Sequence, residues 1–160
     1  MDALIINKKQ FFLGVIFLLA GTMEYLVSRP IGSTHFLLQY KSVQIFFHQM
    51  PSLYGKLGMF APEYFHSLSF SLLSAALIFS NKSKVMLCIV WFIIDEMFEF
   101  GQMFGSELVE HLPQSFVTLP ILEDFVEFLV YGTFDIYDSV AIGLGSLTAI
   151  LIIIHNSKRR

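Results

Sequence analysis

Four apolar runs, at about residues 11–28, 62–80, 85–102 and 136–154, organise this chain. Each approaches the roughly 17–25 residues that a helix needs to cross the hydrocarbon core of a bilayer. With 55% hydrophobic and 14% charged residues, the chain lies outside the soluble range of about 45–50% and about 25%. The expectation is therefore an all-α polytopic membrane protein. Residues 1–160 form a single four-helix transmembrane domain, with two short interfacial helices on its outer side. A net charge of −3 offers no basic footprint for nucleic acid. The lone Cys88 rules out an intrachain disulfide.

In chain order, Lys8 and Lys9 precede the first run, and Arg29-Pro30 closes it. Ala20-Gly21-Thr22 weakly matches a signal-peptide cleavage site, so loss of residues 1–22 stands as an alternative to a retained helix carrying Glu24. Within Phe36 to Met50, apolar residues at helical spacing oppose Gln39, Lys41, Gln44 and His48, which predicts an amphipathic helix at the membrane surface, ended by Pro51. The second run opens with Glu63 and His66 and bears Ser67, Ser71 and Ser74 on one face, where small residues permit close helix packing. Asn81 to Lys84 reads as a tight polar turn. The acidic connection from Phe104 to Phe134 has helical pattern after Pro120, which predicts the second interfacial helix. Ala141, Gly145 and Ala149 form a small-residue ridge in the fourth run.

Four spans place Lys8, Lys9, Lys82, Lys84, Lys158, Arg159 and Arg160 on one side, which the positive-inside rule assigns to the cytoplasm together with both termini. Counting at about 1.5 Å per residue from that side, Glu24, His66, Glu99 and Asp138 stand at roughly 22–27 Å, in the outer half of the bilayer. Asp95 lies deeper, at roughly 16 Å, while Glu63 and Asp135 lie nearer the outer surface. Asp95, Glu99 and Gln102 share one helix face, and Glu96 flanks it. The sequence thus predicts a shared acidic site in which Glu99 and Gln102 sit level with His66 and Asp95 is the deepest carboxylate.

Charges at that depth cost about 2.5–3.5 kcal/mol each and should not face lipid. Several acids together must be partly protonated, paired with His66 or neutralised by a cation. Three uses compete. One is a hydrogen-bonded network that holds the helices together. A second is a ligand or catalytic pocket, with His66, Glu99 and Asp138 as catalytic groups and Glu24, Glu63, Asp95, Glu96, Gln102 and Asp135 as binding groups. The third is proton or metal handling, with a divalent cation held by His66, Glu99 and Asp138. A homo-oligomer or a membrane-protein partner is compatible with the small-residue ridges.

Three pieces of sequence bear on a family: Glu63-Tyr64-Phe65-His66, Glu99-x-x-Gln102, and Gly132-Thr133-Phe134-Asp135-Ile136-Tyr137-Asp138 with Gly145 after it. In kind and order they resemble the VanZ-like family of small bacterial membrane proteins. Thr133 stands where the family motif has arginine, and Ile142 where it has asparagine, marking a divergent branch. The resemblance implies a four-span bundle in the bacterial cytoplasmic membrane and points to His66, Glu99, Gln102, Asp135 and Asp138. It also implies a link to resistance against teicoplanin-type glycopeptides, without supplying a molecular activity. For the pocket itself the expectation is an envelope lipid or lipid-linked precursor, bound or remodelled at the outer leaflet.

Overall fold

The computed structural model describes residues 6–28, 41–111, 126, 129, 130 and 132–157. Among them there is no strand. The helices are α1 (Lys8–Ser28), α2 (Lys41–His48), α3 (Ala61–Ala75), α4 (Asn81–Met103), α5 (Gly105–Glu110) and α6 (Ile136–Ser157), with a 3-10 turn at Gly55–Met59 before α3.

Local chemistry explains most of these boundaries. Pro62 stands in the first turn of α3, where its missing N–H costs nothing. Ser80 caps α4 by accepting the Ser83 N–H at 3.4 Å. Asn81 to Lys84 is consequently the first turn of α4 and not the separate turn that its polarity suggests. Gly55 has φ 54°, the left-handed conformation that starts the 3-10 turn.

α3 is the hub: it packs against α1, α4 and α6, and α4 also packs on α6. α1 runs antiparallel to α3. Asn7 N–H donates to Ala76 O at 2.9 Å at one end, and Gly21 lies against Phe65 at the other. A Cβ on Gly14 would come within 3.1 Å of the Leu73 backbone nitrogen, so the glycines of α1 permit a close helix–helix approach. α6 runs parallel to α3. Ser67 and Ser146 hydroxyls meet at 2.7 Å, and Gly145 lies directly on the Tyr64 carbonyl and 3.2 Å from the Leu68 nitrogen. All three ridge residues of α6, Ala141, Gly145 and Ala149, are buried. The apolar core joins Phe65, Leu68, Leu72 and Ala75 of α3 to Cys88, Ala149 and Ile153.

At the end where α1 and α4 begin, buried Lys84 donates to buried Gln10 at 3.0 Å. The same Gln10 oxygen accepts from Asn7 Nδ2 at 2.7 Å. This polar staple ties α1 to α4 beside the end of α3.

The outward faces carry the opposite chemistry. Phe12, Ile16, Leu19 and Met23 of α1 are exposed, as are Met86, Val90, Ile93, Met97 and Phe100 of α4 and Val140, Leu144, Leu147, Leu151 and Ile154 of α6. Facing inward on the same helices are Gln10, Gly14, Gly21 and Glu24, then Lys84, Cys88, Asp95 and Glu99, then Asp138, Gly145, Ser146 and Ala149. Most of the exposed side chains on these helices are large and apolar, while small and polar groups join Ile142 and Ile153 on the inward faces.

Among the described residues, two helices, α1 and α6, are both long and apolar enough to cross a membrane, against the expectation of four. The expected second run to residue 80 stops as helix at Ala75; its 15 residues reach roughly 22 Å, short of a core about 30 Å thick. α4 has the length, at 23 residues, but Lys82, Lys84, Asp95, Glu96 and Glu99 lower its apolarity.

Of the first interfacial helix, α2 supplies residues 41–48, with Ile45 and Phe46 exposed; Phe36 to Tyr40 lie outside the described residues. Of the second, Val126, Leu129 and Val130 are described and helical, and Val126 and Leu129 are buried. Glu123, Asp124 and Glu127 lie outside, as do Arg29 and the Lys158–Arg160 tail used for orientation.

Candidate functional site

Where α3, α4 and α6 meet near the start of α6, six of the nine anticipated residues come together in two adjoining layers. The inner layer contains His66 and Asp95. His66 Nε2 is 3.9 Å from Asp95 Oδ1; the histidine side chain is 55% exposed and the aspartate side chain 10%. Ser67 is a hydrogen-bonding neighbour of Asp95, and its hydroxyl shares the buried contact with Ser146. On its open side the His66 ring packs on Phe70 at 4.4 Å between centroids, and Phe70 packs on Trp91 at 5.0 Å. The Trp91 indole N–H donates to Ser74 Oγ at 2.8 Å, holding this aromatic row against α3.

One turn farther along α4, Glu99 forms the outer layer with Glu63, Glu96 and Asp138, all within electrostatic reach of its carboxylate. Glu99 and Asp138 are buried; Glu63 and Glu96 are half-buried, and Ser139 stands beside Glu96. The backbone N–H of Asp135 donates to Glu99. Asp135 itself is the N-cap of α6: its Oδ1 accepts the Tyr137 N–H at 2.8 Å. The start of α6 thus turns its positive pole toward the acids, a partial compensation in a cluster without lysine or arginine. Asp95 Oδ2 and Glu99 Oε2 are buried and have no hydrogen-bonding partner among the described residues, a costly arrangement that calls for a proton or an incoming donor.

Several expected placements change. His66 is paired with Asp95 rather than level with Glu99, because α3 and α4 are antiparallel and their packing offsets the two by a turn. Glu24 does not join the site. It is 2% exposed on the far side of α3, where it accepts hydrogen bonds from Ser28 Oγ at 2.6 Å, from Ser52 Oγ, and from the Leu53 N–H at 3.3 Å. A count of height along a helix carries no information about azimuth around a bundle. Gln102 is half-buried near the end of α4. Asp135 acts on the site through its backbone and its cap. The His66, Glu99 and Asp138 metal set is not assembled: among the described residues, no three His, Cys, Asp or Glu side chains are placed to hold one ion.

Sequence reasoning overlooked Ser146 and Ser139; it read Ser67 as a small packing residue and as a nucleophile only if it could pair with the adjacent His66, which helix geometry disfavours. Ser146 stands beside the ridge residue Gly145 and eight residues after Asp138, so a helical wheel of α6 carried that signal.

No family model matches the chain, and neither a curated protein nor a solved structure does.

Proposed function

We propose that the chain is a four-span protein of the bacterial cytoplasmic membrane, with both termini cytoplasmic, and that the acidic site between α3, α4 and α6 binds or acts on an envelope lipid or lipid-linked precursor near the outer leaflet. The observation that carries this reading is the inverted arrangement of α1, α4 and α6. In water, the stripes of exposed Phe, Ile, Leu and Met on these three helices would be extensive aggregation-prone surface; in lipid they are the proper solvent-facing surface, and buried small residues, serines and acids join Leu68, Leu72 and Ile153 in the packed interior. α3 needs little apolarity of its own on this reading, because α1, α4 and α6 shield it.

Within the site, His66 is the accessible member and Glu99 the buried one, an arrangement suited to exchanging a proton with a bound hydroxyl or amine. The uncompensated oxygens of Asp95 and Glu99 favour a ligand rich in hydrogen-bond donors. The sequence resemblance makes the VanZ-like family the proposed affiliation and teicoplanin susceptibility the cellular readout. In a chain that still inserts and folds, His66→Ala and Glu99→Gln are each expected to abolish the resistance conferred by the wild type. Full resistance with both variants would remove the site from the function.

Proton or cation transport is the competing class. It is disfavoured by the apolar band of Leu72, Ala75, Ala149 and Ile153, which separates the acids from the Lys84–Gln10 staple. An accessory subunit has no specific observation in its favour.

A further inference from the structure

The backbones of α1 and α6 both lie against α3 but do not approach each other. Between them runs a groove of about 580 Å³ on the side of the molecule away from the acidic site. Its walls are apolar, formed chiefly by Leu13, Leu151 and Ile154, and its mouth is polar, formed by Lys9, His155 and Asn156. Lys9 Nζ bridges the mouth by donating to Asn156 Oδ1 at 3.3 Å, an exposed and readily exchanged contact. No acid occurs in residues 8–14 or 148–157 that could neutralise the mouth, and the sequence continues beyond it into Lys158, Arg159 and Arg160.

We propose that this groove is a binding site for one anionic phospholipid of the leaflet at the Lys9 end. The inference rests on the membrane reading given above. An acyl chain lies along Leu13, Leu151 and Ile154, and the phosphate takes the place of the Asn156 oxygen on the Lys9 ammonium, with His155 and the Asn156 amide as further donors. Basic clefts between membrane helices on the cytoplasmic side recognise anionic head groups in this way. Charge selects the occupant: the mouth offers donors and positive charge with no carboxylate, the reverse of the acidic site. A second, smaller groove of about 370 Å³ along α4 also ends in a lysine, Lys82. Unlike the first, it is lined by residues 78–90 alone and is not a cleft between two spans, which makes it the internal control.

The test uses the full chain purified from membranes, exchanged into mixed phosphatidylglycerol and phosphatidylcholine, and examined by native mass spectrometry for retained lipid. The wild type is expected to keep one phosphatidylglycerol several-fold in preference to phosphatidylcholine. Lys9→Gln, which removes the charge, and Leu151→Trp, which fills the groove from an exposed position, should each lower retention several-fold, whereas Lys82→Gln should not. Equal retention of the two lipids, or equal loss in Lys82→Gln and Lys9→Gln, would overturn the site. Carbonate extraction separates the two failures. A chain that resists extraction yet shows no preference loses only the groove, and a chain released by carbonate loses the membrane reading as well.

Discussion

His66 Nε2 and Asp95 Oδ1 are 3.9 Å apart, yet the histidine side chain is more than half exposed while the aspartate is buried. A pair with one exposed partner contributes little to stability, about 0–1 kcal/mol. Replacing His66 by alanine is therefore expected to shift unfolding in detergent by less than about 0.5 kcal/mol. Asp95→Ala, which leaves Ser67 with a cavity beside it, should cost about 1–3 kcal/mol. The same denaturant titration on both variants decides the matter, and a larger loss from His66→Ala would mean that the histidine is structural.

Asp135 separates cap from ligand. Its Oδ1 holds the Tyr137 N–H, so Asp135→Ala should destabilise by about 0.5–2 kcal/mol. Asn and Ser cap nearly as well and should restore stability and, under the proposed function, resistance. If Asp135→Asn is stable but inactive, the carboxylate serves the ligand directly.

Gly145 and Gly143 lie two residues apart on α6 and should respond oppositely to alanine. A Cβ at Gly145 runs into the Tyr64 carbonyl, a backbone atom that cannot turn aside, whereas at Gly143 the nearest group is Phe92 Cε2 at 3.8 Å. Gly145→Ala is expected to cost about 1–3 kcal/mol by forcing α3 and α6 apart. Gly143→Ala should be neutral or stabilise by up to about 1 kcal/mol through helix propensity. Thermal unfolding of the two proteins in one detergent provides the comparison.

Glu24 fastens the segment before α3 to α1 through Ser52 and the Leu53 N–H, and Gly58 lies on its carboxylate. Lys56, in the 3-10 turn, is exposed. Glu24→Ala should release this segment and raise the rate of trypsin cleavage at Lys56 several-fold in the purified protein. Glu24→Gln, which keeps an acceptor, should fall between the two. Unchanged cleavage in Glu24→Ala would show that the clamp does not hold the segment.

Sequence alone was enough for what depends on local pattern. Helical character followed from the apolar runs, and the ridge Ala141, Gly145 and Ala149 announced its contact through spacing. The burial of Asp95 and Glu99 followed from the cost of placing a carboxylate among apolar neighbours. Tertiary structure decided what depends on the angular position of a helix about its neighbours. It moved Glu24 to the far side of α3, paired His66 with Asp95, turned Asp135 into the cap of α6, and buried Lys84 against Gln10. A linear count gives height along a helix, because rise per residue is constant. Which groups meet at that height is set by how glycine and serine faces let the backbones approach, and those contacts join residues as distant in sequence as Gln10 and Lys84, or Ser67 and Ser146.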